Sequence, residues 1–265
     1  MDVSLSGRRI SSFLLVLLCL SLISCGNRYD LGTASGQQAR IDDANFHLSR
    51  GECGAADEAI NPLYASPYVT DQVRIIKASA QACYANFKLL VFAKNLAGTS
   101  NYFQALAKSL DNKAGDGARS AMYNAVDVLS QNGAAMSAGA RSREVNTYMI
   151  FLQMGVISAI LRNYGAPNAS GDQTVDLKYP PPGNNMSNAD ACALAAAFSF
   201  ISDSSTNADL SDSTSKNLIN SLNATCVLEG LTSCSAANRD RTVCDGTNAA
   251  SVFAGKVATD VNGSW

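Results

Sequence analysis

The sequence predicts an all-α, disulfide-braced protein, on three observations. From Ala39 onward, apolar residues recur at the three-and-four spacing of an amphipathic helix. One segment, Glu144 to Tyr164, is apolar on both sides, as expected of a helix surrounded by other helices. The cysteines that remain after the N-terminal segment is set aside are even in number, the pattern of an exported, oxidised chain.

The N-terminal segment has the three parts of a secretory signal: Arg8 and Arg9, an apolar run over Phe13 to Ile23, and small Ser24. The run falls well short of the roughly 20 residues that span a bilayer as a helix. Leu22-Ile23-Ser24-Cys25 resembles the lipobox of bacterial lipoproteins. The resemblance implies that residues 1–24 are a signal peptide and that Cys25 becomes the acylated, palmitate-bearing first residue of the mature chain. More than one acyl chain makes a durable membrane anchor. Gly26, in place of Asp after the cysteine, implies the outer membrane, with the domain facing the periplasm.

Removing 24 of the 265 residues leaves 241, enough for one large or two small domains. Charged residues make up only 16% of the chain, and loss of Asp2, Arg8 and Arg9 moves the side-chain charge from −2 to −3. A mildly acidic chain without Lys/Arg blocks is a poor nucleic-acid binder. Of the eight cysteines, Cys19 leaves with the signal and Cys25 takes lipid. The other six, Cys53, Cys83, Cys192, Cys226, Cys234 and Cys244, read as three disulfides with fifteen possible connectivities. Proximity along the chain favours Cys53–Cys83, Cys192–Cys226 and Cys234–Cys244. A metal site would need close C-x-x-C pairs or added histidines, and the C-terminal half has neither.

Taken in order, residues 25–36 read as a lipid-anchored tether, 37–165 as an N-terminal helical domain, 166–187 as a Pro/Gly-rich connection, and 188–265 as a helical, cystine-braced region. Ile41, Ala44 and Leu48 mark the first helix and Gly51 its end. A second runs from about Ala55 to Leu63, before Pro67. Ala44, His47, Gly51, Ala56, Ile60, Leu63 and Pro67 fall at or within one residue of the small and aromatic positions of a tetratricopeptide repeat. This stretch of about 30 residues resembles one such helical hairpin. It departs from the family in lacking the early Trp and Leu-Gly and in having His47 where Tyr is usual. A generic helical hairpin fits the same residues.

Further helices are predicted over Asp71–Tyr84 and Phe87–Leu96, and around Phe103, Leu106, Ala107 and Leu110. Another carries Ala118, Ala121, Met122, Ala125 and Leu129, with Gly133 as its stop. The helix over Glu144–Tyr164 has stripes on both sides and is expected at the centre of the bundle. Pro180-Pro181-Pro182-Gly183 reads as a stiff polyproline spacer between two helical halves. Ser187-Asn188-Ala189-Asp190 has the form of a capping box. It opens a helix with Leu194, Ala197, Phe198 and Ile201 on one face. A helix through Leu218, Leu222 and Cys226 follows, and a last short one over Ala249–Ala258.

The sequence offers little chemistry. The only histidine, His47, sits at a structural position in a helix. Ala135-Met136-Ser137-Ala138-Gly139 has the residues of a nucleophile elbow, but its flanks lack the strand that motif requires and the sole His precedes Ser137. Asp203, Ser205, Asn207 and Asp209 alternate like a calcium loop, without its Gly at the sixth position or its final Glu. These readings lead to a non-enzymatic, lipid-anchored envelope protein that binds or scaffolds an envelope protein partner and carries no cofactor or metal. The alternative is a small-ligand-binding lipoprotein associated with a transporter, with its pocket near Met149 and Met154.

Overall fold

The computed structural model describes residues 29–65, 67–87, 94–95, 101–110, 116–181, 183, 185–208 and 239–265. Among these residues there are eight α-helices and no strands. They are α1 Ala34–Ser49, α2 Cys53–Tyr64, α3 Asp71–Tyr84, α4 Tyr102–Lys108, α5 Asp116–Ser130, α6 Arg143–Tyr164, α7 Asn188–Ser205 and α8 Ala249–Ser264. Cys25, the lipobox and the stretch carrying Leu218, Leu222, Cys226 and Cys234 lie outside the described residues.

Local chemistry sets most of the helix starts. Thr33, Thr70, Asn101, Ser142, Ser187 and Asn248 each stand in extended backbone before a helix and accept a hydrogen bond from an N–H of its first turn. Such caps satisfy donors that have no partner inside the helix. Thr33 starts α1 at Ala34, five residues before the apolar periodicity begins. Gly51 follows α1 at φ +72°, a backbone angle that glycine adopts without strain.

Two cores meet on α3. Val73 and Ile76 pack with Ile41 and Ala44 of α1 and with Ala59, Ile60 and Leu63 of α2. Ala78 and Ala82, on the other side of the same helix, belong to the large core formed with α4 to α8. The five branched aliphatic residues of the small core contribute about 1.5–3 kcal/mol each by leaving water. The Cys53–Cys83 disulfide (Cα–Cα 5.5 Å) joins the first turn of α2 to the last turn of α3 and braces this small cluster.

Helix α6 packs against α3, α4, α5 and α7. Most of it is buried, including Gln153 and Ser158. Ser158 donates to the Leu106 carbonyl of α4. The helix is long and apolar enough to cross a membrane, yet most of its apolar surface is covered by protein. Gly155 lies against Met122 of α5, and a Cβ at 155 would collide with the end of that side chain.

The described residues of the connection from 166 to 187 are packed down on the helices rather than extended between two halves. Leu177 and Met186 are buried in the same core as α6 and α7. The Asn262 side chain accepts from the Leu177 N–H and donates to the Leu177 carbonyl, both at 2.8 Å. Trp265 donates from its indole nitrogen to the Gly171 carbonyl. These contacts carry α8 to Ser264, beyond the Ala258 end expected from the sequence. Its last turns bury Val257, Ala258 and Val261.

Candidate functional site

The proximity pairing of the C-terminal cysteines is corrected by the structure. Cys192, in the first turns of α7, is bonded to Cys244 across 52 positions, with the Cα atoms 5.7 Å apart. It is therefore paired with neither Cys226 nor any other near neighbour, and Cys244 is not paired with Cys234. The folded chain returns residues 239–245 to α7, so distance in space, not along the chain, chose the partner. Cys226 and Cys234 lie outside the described residues.

This disulfide ties down one wall of a groove of about 700 Å³ between α5, the turn after it, α7 and the segment 239–243. Val126, Met136, Phe200 and Val243 supply apolar lining; Asp127, Arg239, Asp240 and Arg241 supply charge. Two further ties hold the wall. Arg241 donates from Nη1 and Nη2 to the two carboxylate oxygens of Asp127, each at 2.6 Å. Arg239 donates to the Met136 carbonyl at 2.9 Å and pairs with Asp203 at 2.9 Å.

Behind the groove, Arg141 is completely covered and pairs with the same Asp203 at 3.1 Å. It also donates to Asn146, the Ala135 carbonyl and Ser204. Burial lowers both Arg141 and Arg239 from the ordinary guanidinium value, opposed by the charge of Asp203. Arg241 moves the other way, its protonated form held by the hydrogen bonds to Asp127.

The backbone beside the groove is bent out of the helical path. Gln131, Asn132 and Gly133 have φ of 52°, 52° and 98° in succession. Left-handed conformations cost non-glycine residues free energy and recur at binding sites. Asn132 and Gly133 both line the groove.

One grouping recurs across the fold. A basic side chain pairs with a carboxylate and also lies over an aromatic ring, an arrangement stabilised by attraction to the ring face. Arg241 is 5.0 Å from the centre of Tyr123, Arg141 5.5 Å from Phe200, and Arg119 5.4 Å from Tyr164. Arg119 is also 3.5 Å from Asp190 in the first turn of α7, and the Asp190 carboxylate accepts from Tyr123 and Tyr164. Lys77 repeats the grouping in the small core with Asp57 and Tyr64.

The other sequence candidates among the described residues lie in helices, turns and the core, outside the lining of the groove. His47 lies 2.7 Å from Glu52 and 3.8 Å from Asp43, joining the end of α1 to the start of α2. Hydrogen bonds from His47 and Arg50 hold the Glu52 carboxyl below its ordinary value. Ser137 precedes a single 3-10 turn, Ala138–Ala140, with no strand before it. Asp203 and Ser205 are in the last turn of α7, with Asp203 spent on two arginines; Asp209 lies outside the described residues. Met149 and Met154 are core side chains, and neither lines the groove. Among the described residues, no group of three or more His, Cys, Asp or Glu could hold a metal ion.

Sequence reasoning did not find Arg141, Asp203, Arg239, Arg241 or Asp127 as a cluster. A signal was present: Arg239-Asp240-Arg241 concentrates charge in a charge-poor chain, three residues before a cysteine. No protein-family model, no curated protein and no solved structure matches this chain.

Proposed function

We propose that this chain is a lipid-anchored envelope protein that binds a segment of a partner protein in the groove between α5, α7 and residues 239–243. The observation that carries the reading is the groove itself. Its apolar lining suits side chains of a partner, and its wall is fixed by a disulfide and two arginine–carboxylate ties. A wall fixed in advance reduces the ordering cost of association. Its volume falls within the range of about 300–1,000 Å³ typical of binding clefts.

The anchor in this reading is Cys25, in the Leu22-Ile23-Ser24-Cys25 lipobox, which holds the domain at the periplasmic face of the outer membrane. The role is protein binding or scaffolding, without catalysis. The mutual packing of α1, α2 and α3 supports a tetratricopeptide-like hairpin arrangement at the anchored end, and the burial of α6 supports its place as the central helix.

The test is crosslinking in cells, with a photo-reactive residue replacing Thr242 in the full anchored chain. A reproducible envelope-protein adduct that disappears on Phe200→Ala substitution is expected. Absence of any reproducible adduct from Thr242, with Cys25 intact, overturns the groove as a protein-binding site. Palmitate labelling of the wild type and of Cys25→Ala tests the anchor separately, and equal labelling of the two removes it.

A further inference from the structure

Cys25 stands four positions before Tyr29, and from Tyr29 onward the chain is folded onto α1. The Arg40 guanidinium lies 4.6 Å from the centre of the Tyr29 ring, and the Tyr29 hydroxyl donates to Asp43 at 3.4 Å. Gln37 donates to the Leu31 carbonyl at 2.8 Å, and Leu31 packs on the small core. Asp30 crosses so close over Gly36 that a Cβ at 36 would collide with the Asp30 carbonyl. Residues 29–33 therefore run back along α1, from beside Arg40 to the Thr33 cap, and add nothing to the length of a tether. Only residues 26–28 separate Cys25 from this folded segment. Four Cα steps of about 3.8 Å hold Cys25 within about 15 Å of Tyr29, whatever path they take.

Resting on Cys25 as the lipid anchor, we propose that the outer face of α1 lies on the lipid surface, with Phe46 entering the headgroup boundary. Among the described residues Phe46 is the one large apolar side chain exposed on α1, at 54%, and it follows Asp43 by less than one helical turn. The Arg50 guanidinium lies 5.2 Å from the centre of its ring. A ring with a basic neighbour suits that boundary, where the ring meets acyl chains and the guanidinium meets phosphate. The charges along α1 and its end are mixed, Arg40 and Arg50 against Asp42, Asp43 and Glu52, so the anchor and Phe46 supply the contact rather than attraction to anionic lipid. Such a contact needs little affinity of its own, because a short link keeps the face at high local concentration beside the bilayer. The groove is built on the other core, across α3 from α1, and stays open to its partner in this arrangement.

The test uses the full acylated chain in phosphatidylcholine vesicles, with and without bromine on the acyl chains close to the headgroup. Phe46→Trp reports on α1, and Val252→Trp, at an exposed position of α8, serves as the control. Native Trp265, packed against Gly165, gives the same background in both. Bromolipid is expected to quench the added fluorescence of F46W about twofold, as for a ring lying roughly 5–10 Å into the headgroup boundary, and to leave that of V252W unchanged. No quenching of F46W, or equal quenching of the two variants, in protein that floats with the vesicles overturns the α1 contact and leaves the anchor standing. A chain that does not float, and that takes no more palmitate label than Cys25→Ala, overturns the anchor and this contact with it.

Discussion

Arg241 grips both carboxylate oxygens of Asp127 from 114 positions away, closing the C-terminal segment onto the end of α5. The pair is two-pronged and partly shielded, with the guanidinium also over the ring of Tyr123. Planar fork geometry makes such a contact specific to arginine.

Arg241→Lys keeps the charge and loses the fork. It is expected to lower stability by about 1–2 kcal/mol, and to speed amide exchange over residues 239–245 more than over α3. Urea unfolding with hydrogen-exchange mass spectrometry checks both. Uniform exchange changes across the chain would contradict a local tie.

Arg141 presents a harder case, because its charge is fully covered and Asp203 is shared with Arg239. Arg141→Ala removes one of the two cations and leaves Asn146 and the Ala135 carbonyl without a partner they had. A loss of about 2–5 kcal/mol is expected, because two buried acceptors lose their donor at about 1–3 kcal/mol each while Asp203 keeps its pair with Arg239. Arg141→Met, which fills more of the space, is expected to recover part of it. A chemical-denaturation series on the two variants is the measurement.

Each described disulfide should stabilise the fold by roughly 2–4 kcal/mol. Their local effects should differ. Cys53→Ser with Cys83→Ser is expected to loosen α2 against α3, where the core is small. Cys192→Ser with Cys244→Ser is expected to loosen 239–245 and leave α1 to α3 unchanged. Limited proteolysis with mapped cleavage sites separates the two outcomes.

Burial raises Tyr123, Tyr148 and Tyr164 above the ordinary phenol value, and the Asp190 charge adds to the rise at Tyr123 and Tyr164. A group raised on folding gives stability that is complete below its unfolded pKa, about 10 for tyrosine, and lost as pH climbs above it. The thermal midpoint is therefore expected to fall from about pH 10 upward through this effect. Tyr148→Phe removes one of these groups and should make the fall shallower. A parallel fall in the variant would show that Tyr148 does not contribute.

Much of the fold was legible because helix periodicity and capping are local. The stripe through Ala118, Met122, Ala125 and Leu129 and the Ser187 cap can be read without knowing what packs on them. The short reading of α8 failed for the matching reason. Past Ala258 the residues Thr259, Asp260, Asn262 and Gly263 are weak helix formers, and the hydrogen bonds of Asn262 to Leu177 and the burial of Val261 carry the helix on.

The sequence by itself determined the helical class, most helix starts, the two-sided burial expected of α6 and the even set of cysteines, because each follows from nearest-neighbour chemistry along the chain. The tertiary structure alone decided that Cys192 meets Cys244, that Arg241 meets Asp127, and that Arg141 and Arg239 share Asp203. Those contacts join residues 36 to 114 positions apart and bring several segments to one point. Such meetings depend on how the helices pack, and no local pattern encodes them.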